Sequence, residues 1–328
     1  MPVAVILRKR GMNNIYLYRQ ILKGKWFIHY SYALSMMSIL SDIMASKQMG
    51  DARDWRGDQT TNLEEKEGRA QFPITCGSTA NSVSAYNKFD DAPEGSIALV
   101  PMKGVMIKYG TMCEYGTEEI ASAMLQAASS PKIDGIVLDI DSGGGAVDAI
   151  APLIEAISKI QKTLNKPVVA SADLCASAAY YVACHCDRIV ANNNLSSEFG
   201  SIGVMMSFRD MQPYYEKLGV KFHKIYAPES NYKNLPLEKA LNGEYDMIKE
   251  EELSPLAINF QNAVKEKRGS KLKMDVEGIL NGRMFYAANG RDKSLEAATV
   301  GLIDEVASLD KAIMLAKSYA EMRKILKS

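Results

Sequence analysis

From residue 95 onward, short apolar runs alternate with stretches whose apolar residues recur every three or four positions. Ile97-Ala-Leu-Val-Pro-Met reads as a strand, and Gly135-Ile-Val-Leu-Asp-Ile as a buried one. Lys166-Pro-Val-Val-Ala-Ser, Arg188-Ile-Val-Ala and the stretch Val220 to Tyr226 continue the series. Continuous apolar runs bounded by turn residues suit strands covered on both faces. Between them, Thr117 to Ser129 predicts a helix with Ile120, Met124, Ala127 and Ala128 on one face. Residues 147–164 predict another, with Ile150, Leu153, Ile154, Ile157, Ile160 and Leu164 at helical spacing. Pro152 fits only if that helix begins near Asp148, which leaves the ring in the first turn. Further helices are expected from Ser177 to Ala183, from Phe208 to Leu218, across 237–268 and near 309–326. Strands alternating with helices predict an α/β fold, a mostly parallel sheet flanked by helices.

The first 92 residues read differently. Residues 14–45 carry apolar positions suited to one or two helices: Ile15, Leu17, Ile21 and Leu22, then Ile28, Leu34, Met37 and Leu40. Residues 46–92 are polar and weakly periodic, which predicts a linker. The expected division is an N-terminal arm over 1–45, a polar linker over 46–92, the main domain over 93–310 and a C-terminal helix over 311–328. No apolar run reaches the 18 or more residues of a spanning helix. The best stretch, Trp26 to Leu40, has 15 residues and includes His29 and several Ser and Tyr. The opening MPVAVILRKRG places its charges after its apolar part, the wrong order for a secretory signal. Met12 begins a more natural-looking segment, and translation is expected to start there. The protein is therefore expected to be cytoplasmic.

Charge sharpens this division. Lys plus Arg and Asp plus Glu both number 39 among 328 residues, so the net charge is zero. That balance argues against a generic nucleic-acid binder. Residues 1–41 hold six of the basic residues and no acidic one, which leaves 33 basic against 39 acidic in the rest. The basic arm is either packed on the body or a surface for a partner or a membrane. Five cysteines without regular spacing do not form a disulfide framework. Cys184-His185-Cys186 lacks a second ligand cluster and the usual gap, so no metal and no cofactor is expected. Only three histidines exist, His29, His185 and His223, and any histidine chemistry must draw on them.

Four segments could carry chemistry. In Leu138-Asp-Ile-Asp-Ser-Gly-Gly-Gly-Ala-Val a buried strand runs into three glycines and then a helix. The dinucleotide spacing fails at Asp148, and no Gly-Lys-Ser/Thr follows. A tight turn and a turn offering amides to an oxyanion both remain open. In the second reading, glycine would let a substrate backbone approach without a Cβ clash. In Asp173-Leu-Cys-Ala-Ser-Ala-Ala-Tyr-Tyr, Ser177 lies where a strand meets a helix, as an N-cap or as a nucleophile. Gly200-Ser-Ile-Gly-Val and Ser230-Asn-Tyr-Lys-Asn-Leu-Pro follow. A lysine in such a loop is ordinarily solvated.

In this order the four segments resemble the signal peptide peptidase A family of serine peptidases, which includes phage capsid-maturation proteases. That family shows Ser-Pro-Gly-Gly, Ala-Ser-Gly-Gly-Tyr-Tyr, Gly-Ser-Ile-Gly-Val and Tyr-Lys-Asp in turn. Phe260, Val264, Arg268 and Gly269 then match its Phe-x3-Val-x3-Arg-Gly helix. Gly282-Arg283 and Gly301-Leu-Ile-Asp304 match its tail. The resemblance covers roughly residues 95–310, and it rests on these short motifs in order rather than on any one.

The resemblance implies a caseinolytic protease/crotonase-like superhelical fold and a Ser/Lys dyad. Ser177 maps onto the nucleophile, Lys233 onto the general base, and Ser201 onto the serine that helps hold the lysine. The amides of Gly145 and Ala178 map onto the oxyanion hole. The chemistry agrees: a serine needs a base within hydrogen-bond reach, and the three histidines fit poorly. A lysine base must be neutral. Lowering its pKa from about 10.4 to about 7–8 needs burial costing roughly 3–5 kcal/mol. Tyr232 and Leu235 are compatible with such a pocket, whereas Glu229 would oppose it if it faced inward. Gly143 replaces the family's Pro, Ala178-Ala179 its Gly-Gly, and Asn234 its Asp. Both replacements at the oxyanion hole keep an N–H, so altered specificity is expected rather than lost activity.

The expected function is a serine endopeptidase of the prophage type, acting on capsid or scaffold proteins, with peptide or unfolded protein as substrate. It would be a homo-oligomer and could associate with procapsids or virions. A soluble signal-peptide-degrading peptidase is the alternative. A crotonase-like acyl-CoA enzyme and an inactive structural homologue stand behind it.

Overall fold

The structure is a computed structural model and describes residues 25–28, 75–77, 84–85, 89–110 and 115–327. Along the chain run β1 (Lys25–Ile28), β2 (Thr75–Gly77), β3 (Ser84–Ala85) and β4 (Ser96–Lys103), then α1 (Thr117–Ser129), β5 (Ile133–Ser142) and β6 (Gly144–Ala146). Next come α2 (Ile150–Lys162), β7 (Val168–Ala176), α3 (Ala178–Ala183), β8 (Arg188–Ala191), β9 (Glu198–Gly200) and β10 (Met205–Met206). The chain continues through α4 (Gln212–Lys217), α5 (Leu235–Leu241), α6 (Ser254–Arg268), β11 (Met284–Tyr286), β12 (Glu305–Val306) and α7 (Leu309–Lys327).

The main sheet has the order β11-β9-β7-β5-β4-β2-β3, with β8 also paired to β7 and β12 to β8. β4, β5, β7, β8, β9 and β12 pair in parallel, whereas β2 and β11 join antiparallel. The α/β class and the largely parallel sheet flanked by helices are thus as expected.

Successive residues along a strand face opposite sides, and both sides here are apolar. Ile97, Val137, Val169 and Val190 meet Ala312, Ile313 and Ala316 of α7. Their neighbours Ala98, Ile136, Leu138, Ala170 and Ala172 enter the larger core with Met124 and Ala127 of α1 and Leu153, Ile157 and Ile160 of α2. Each fully buried Leu, Ile or Val contributes about 1.5–3 kcal/mol, so the two helical layers anchor the central strands strongly.

A buried ionic cluster ties α6 to the end of the domain. Asp304 accepts from Nη1 and Nη2 of Arg268 at 3.2 Å each, from Lys271 Nζ at 2.7 Å and from the Ile189 amide at 2.8 Å. Arg188 Nη1 lies 3.3 Å from the same carboxylate, and Arg268 Nε donates to the Gly301 carbonyl at 2.7 Å. Burial alone would raise the Asp304 pKa, but the Arg268 hydrogen bonds and charge, joined by Lys271, hold it down at about 2. Gly301 has φ +84°, and a Cβ there would sit 1.9 Å from the Lys271 carbonyl oxygen, so glycine is obligatory.

Several expectations are corrected. Val220 to Tyr226 is not a strand; its residues are exposed and pair with no strand among the described residues. The helix expected over 208–218 covers only Gln212–Lys217. The long helix expected over 237–268 is broken. α5 ends before Gly243 at φ +85°, a π-helical turn covers Ile248–Leu253, and α6 restarts with Pro255 in its first turn. Lys25–Ile28 is a strand rather than part of a helix, and Thr75–Gly77 pairs with β4 in the main sheet rather than lying in a linker. The rest of the arm, and most of the stretch 46–92, lie outside the described residues. Pro152 falls in the first turn of α2, as its ring requires.

Candidate active site

Three neighbouring parallel strands, β9, β7 and β5, end side by side. The register pairs Ala176 with Gly200 and Ser142 with Cys175, so Ser142, Ser177 and Ser201 leave the sheet at one edge. Carboxyl ends of parallel strands are where open α/β sheets place their sites.

Ser177 is the single residue between β7 and α3. It adopts φ 53° and ψ −118°, a conformation that costs of order 1–3 kcal/mol for a residue with a side chain. The surroundings enforce it. The Ser177 amide donates to the Gly200 carbonyl at 2.8 Å, and its carbonyl accepts from the Tyr181 amide at 2.9 Å. α3 is pinned in the core by Ala178, Ala179 and Tyr180, all fully buried, and the Tyr180 hydroxyl donates to the Leu302 carbonyl at 2.8 Å. The small alanines let the helix approach the sheet this closely. Ser177 is 1% exposed, and among the described residues its Oγ makes one long contact, 3.4 Å to the Gly203 carbonyl. The Ala178 amide opens the helix and has no hydrogen-bond partner among the described residues.

Ser201 also has positive φ, 52°, and its amide donates to the Arg283 carbonyl at 3.1 Å. Gly200 before it has φ +127°, and a Cβ there would sit 2.3 Å from that carbonyl oxygen. The Gly282-Arg283 segment therefore backs the Ser201 turn.

Gly145 lies on β6, which packs against α3. A Cβ on Gly145 would sit 2.0 Å from the Met106 carbonyl oxygen. The crowding that demands glycine comes from the chain's own backbone, where an approaching substrate was expected. Met106 donates its amide to the Gly144 carbonyl at 2.9 Å and accepts from the Ala146 amide at 2.9 Å. Ser142 shapes the turn: its hydroxyl donates to the Gly104 carbonyl at 2.6 Å and accepts from the Gly144 amide at 3.1 Å.

Lys233 has a different setting. It is exposed, its amide donates to the Ser230 carbonyl at 3.1 Å, and its Nζ has no hydrogen bond or ion pair among the described residues. The expected apolar pocket around it is not formed within the described residues. Tyr232 is exposed and its hydroxyl donates to Glu251 at 2.6 and 2.8 Å, while Glu229 is exposed as well. The structure thus brings Ser177, Ser201, Ala178 and the Gly145 strand together, whereas Lys233 is exposed and makes no side-chain bond to any of them among the described residues.

The histidines do not replace it. His185 follows the end of α3, its Nδ1 2.8 Å from the Tyr181 carbonyl and its ring stacked on Tyr181; burial lowers its pKa. His223 is exposed, and His29 lies outside the described residues. Cys184 is buried, its thiol donating to the Tyr181 carbonyl at 3.0 Å, and burial pushes it up to about 12. Two contributors escaped the sequence reading. The Met106 carbonyl has no sequence signal at all. Gly203 sits inside the Gly200-Ser-Ile-Gly-Val motif, which could have pointed to it.

Residues 160–323, half of the chain, match the family model described as Peptidase family S49. The chain belongs to that family. The matched span includes Ser177, Ser201 and Lys233 and excludes Gly145. The chain is 31% identical over 212 residues to "Serine protease SPPA, chloroplastic" of Arabidopsis thaliana, covering 62% of this chain and 29% of that protein. It is 27% identical over 241 residues to "Capsid assembly protease C" of Escherichia phage lambda, covering 70% of this chain and 50% of that one. The chain therefore spans half or less of the length of these two curated relatives. A solved structure of a mutant of the 1510-N membrane-bound stomatin-specific protease is similar at 16% identity, with 67% of this chain and 83% of that chain covered and a TM-score of 0.41. Among the described residues, no helix is long and apolar enough to cross a membrane.

Proposed function

We propose that this S49 chain is a serine endopeptidase in which Ser177 is the nucleophile and Lys233 the general base. The observation that carries the reading is Ser177 itself. It is a strained serine at the carboxyl end of a central parallel strand, followed by a helix-opening amide with no hydrogen-bond partner among the described residues. Such a turn presents Oγ and the next N–H to one carbonyl, the arrangement of a nucleophile elbow. In the proposed reaction, Lys233 takes the Ser177 proton as Oγ attacks the peptide carbonyl. The amides of Gly145 and Ala178 receive the oxyanion. Lys233 returns the proton to the departing amine, and water then releases the acyl group. Ser201 positions the lysine.

Lys233 is exposed in the single chain, and a lysine base needs desolvation. A second copy is the proposed source. The segment carrying the lysine exposes Phe208, Tyr214, Leu218, Phe222 and Ile225, a density of apolar groups that suits packing against another copy. The active species is then a homo-oligomer whose dyad forms between neighbours. For the substrate we favour capsid or scaffold proteins, supported by the similarity to the lambda protease and by a basic arm suited to an acidic protein partner.

The test is labelling with a fluorophosphonate probe, read by mass spectrometry, alongside casein cleavage. The expected result is a single adduct on Ser177 and loss of both signals in Ser177→Ala. Cleavage that survives Ser177→Ala would overturn the assignment.

A further inference from the structure

β1 forms the middle of a second, small sheet of order β10-β1-β6 and is antiparallel to both neighbours. Those neighbours are the two edges of the candidate site. β6 carries Gly145, and β10 begins two residues after Gly203, whose carbonyl lies against Ser177 Oγ. The register is specific: Trp26 stands between Met205 and Ala146, and Phe27 stands opposite Gly145. Gly144 and Ala146 spend their carbonyl and amide on Met106. Backbone groups alternate along a strand, so the Gly145 amide and carbonyl point the other way, toward Phe27. The candidate oxyanion amide is therefore faced by the chain's own backbone. Ile28 at the end of β1 is buried in the main core, which fixes this segment in place.

We propose that the slot between β6 and β10 binds extended peptide by strand addition, and that residues 25–28 are its tethered occupant. The N-terminal arm thus holds the enzyme latent until it is displaced or removed. The inference rests on the peptidase reading for its consequence, but the slot itself is set by backbone pairing. Strand addition takes its affinity from main-chain hydrogen bonds, so it suits unfolded or extended protein segments of varied sequence. A tethered strand competes at high effective concentration, which raises the apparent Kd and KM for an external peptide without altering the chemical step.

The test uses the Ser177→Ala chain, so that binding is read without turnover. Affinity for a fluorescein-labelled peptide spanning residues 22–31 is measured by anisotropy, with and without residues 1–29. Deletion of 1–29 is expected to tighten binding at least tenfold. In the Ser177 chain the same deletion should lower KM for short peptides several-fold and leave kcat nearly unchanged. Phe27→Pro in the full-length chain, which removes a β1 amide, should shift affinity the same way if the deletion fails to fold. Unchanged affinity in both variants overturns the tethered strand and leaves the peptidase reading intact. Tightened binding with no cleavage by any Ser177 chain keeps the slot and overturns the peptidase reading.

Discussion

Ser177 and Lys233 occupy two regions built on opposite terms. Ser177 is held by a parallel sheet, two helical layers and a run of close backbone contacts, and its strained dihedrals persist because every neighbour is fixed. Lys233 sits in the stretch between β10 and α6, where apolar side chains such as Ile225 are 92% exposed and among the described residues few contacts reach the core. The first region is fixed by its own chain. The second has the composition of a packed surface without the packing. The comparison teaches that the setting of the proposed nucleophile is fixed by the fold of one chain, and that the desolvation the proposed base requires is not supplied by the described residues around it.

The largest effect should come from the two ends of the comparison together. Ser177→Ala and Lys233→Ala should each lower kcat/KM by about 10³-fold or more, because members of a catalytic pair act as a unit. Thermal unfolding should stay within a few degrees of the parent for both. A Lys233→Ala protein that keeps most of its activity would place the base elsewhere.

Next is the fixed region alone. Gly145→Ala forces a methyl group to 2.0 Å from the Met106 carbonyl oxygen. The backbone must shift, and loss of one oxyanion donor costs about 10²–10³ in kcat. The loss should fall on kcat rather than on KM. Steady-state kinetics on a short peptide separate the two.

The scaffold behind the site comes third. Asp304→Asn leaves Arg268 buried with a weakened partner, and breaking such a pair costs about 3–5 kcal/mol. The pH dependence has a definite sign. The Asp304 pKa is depressed to about 2, so its stabilisation is fully present above its unfolded pKa and is lost as pH falls toward 2. Denaturant unfolding between pH 6 and pH 2 should show this loss in the parent chain and not in Asp304→Asn.

The smallest change in stability belongs to the exposed stretch. Ile225→Ser should alter unfolding by less than about 0.5 kcal/mol, as exposed substitutions usually do. It should nevertheless weaken self-association, seen by sedimentation velocity. An oligomer indifferent to Ile225→Ser and Leu218→Ser would remove this stretch from the interface.

The same contrast explains what the sequence made legible. Strands buried on both faces carry runs such as Ile136-Val-Leu, and helices between them carry a clear apolar stripe, so the strands and helices of residues 95–191 read correctly in order except Gly144–Ala146, a strand that the sequence presents only as a turn. Val220-Lys-Phe-His-Lys-Ile has the alternation of a strand, but no sheet edge meets it, and the pattern has no partner to stabilise it. Gly243 and Pro255 were available as breaks in the long helix and outweigh the periodicity around them. Lys25–Ile28 is too short to override a helical pattern locally; its pairing comes from β6 and β10, far along the chain. Ser177 was legible as a strand-to-helix junction, and its role came from the motif resemblance. Its positive φ was hidden, because a non-glycine residue gives no sign of a conformation imposed by neighbours. The motifs that follow also proved to be support: Arg268, Gly301 and Asp304 form the ionic anchor, and Gly282-Arg283 backs Ser201.

The most direct test of the account is subunit mixing. Ser177→Ala and Lys233→Ala chains, each inactive alone, are combined after exchange of subunits has been demonstrated by native mass spectrometry. If the dyad forms between copies, mixed oligomers regain peptidase activity, up to about a quarter of the parent level for random pairing of neighbours. Mixed oligomers that stay as inactive as either variant, beside a fully active parent, would contradict it.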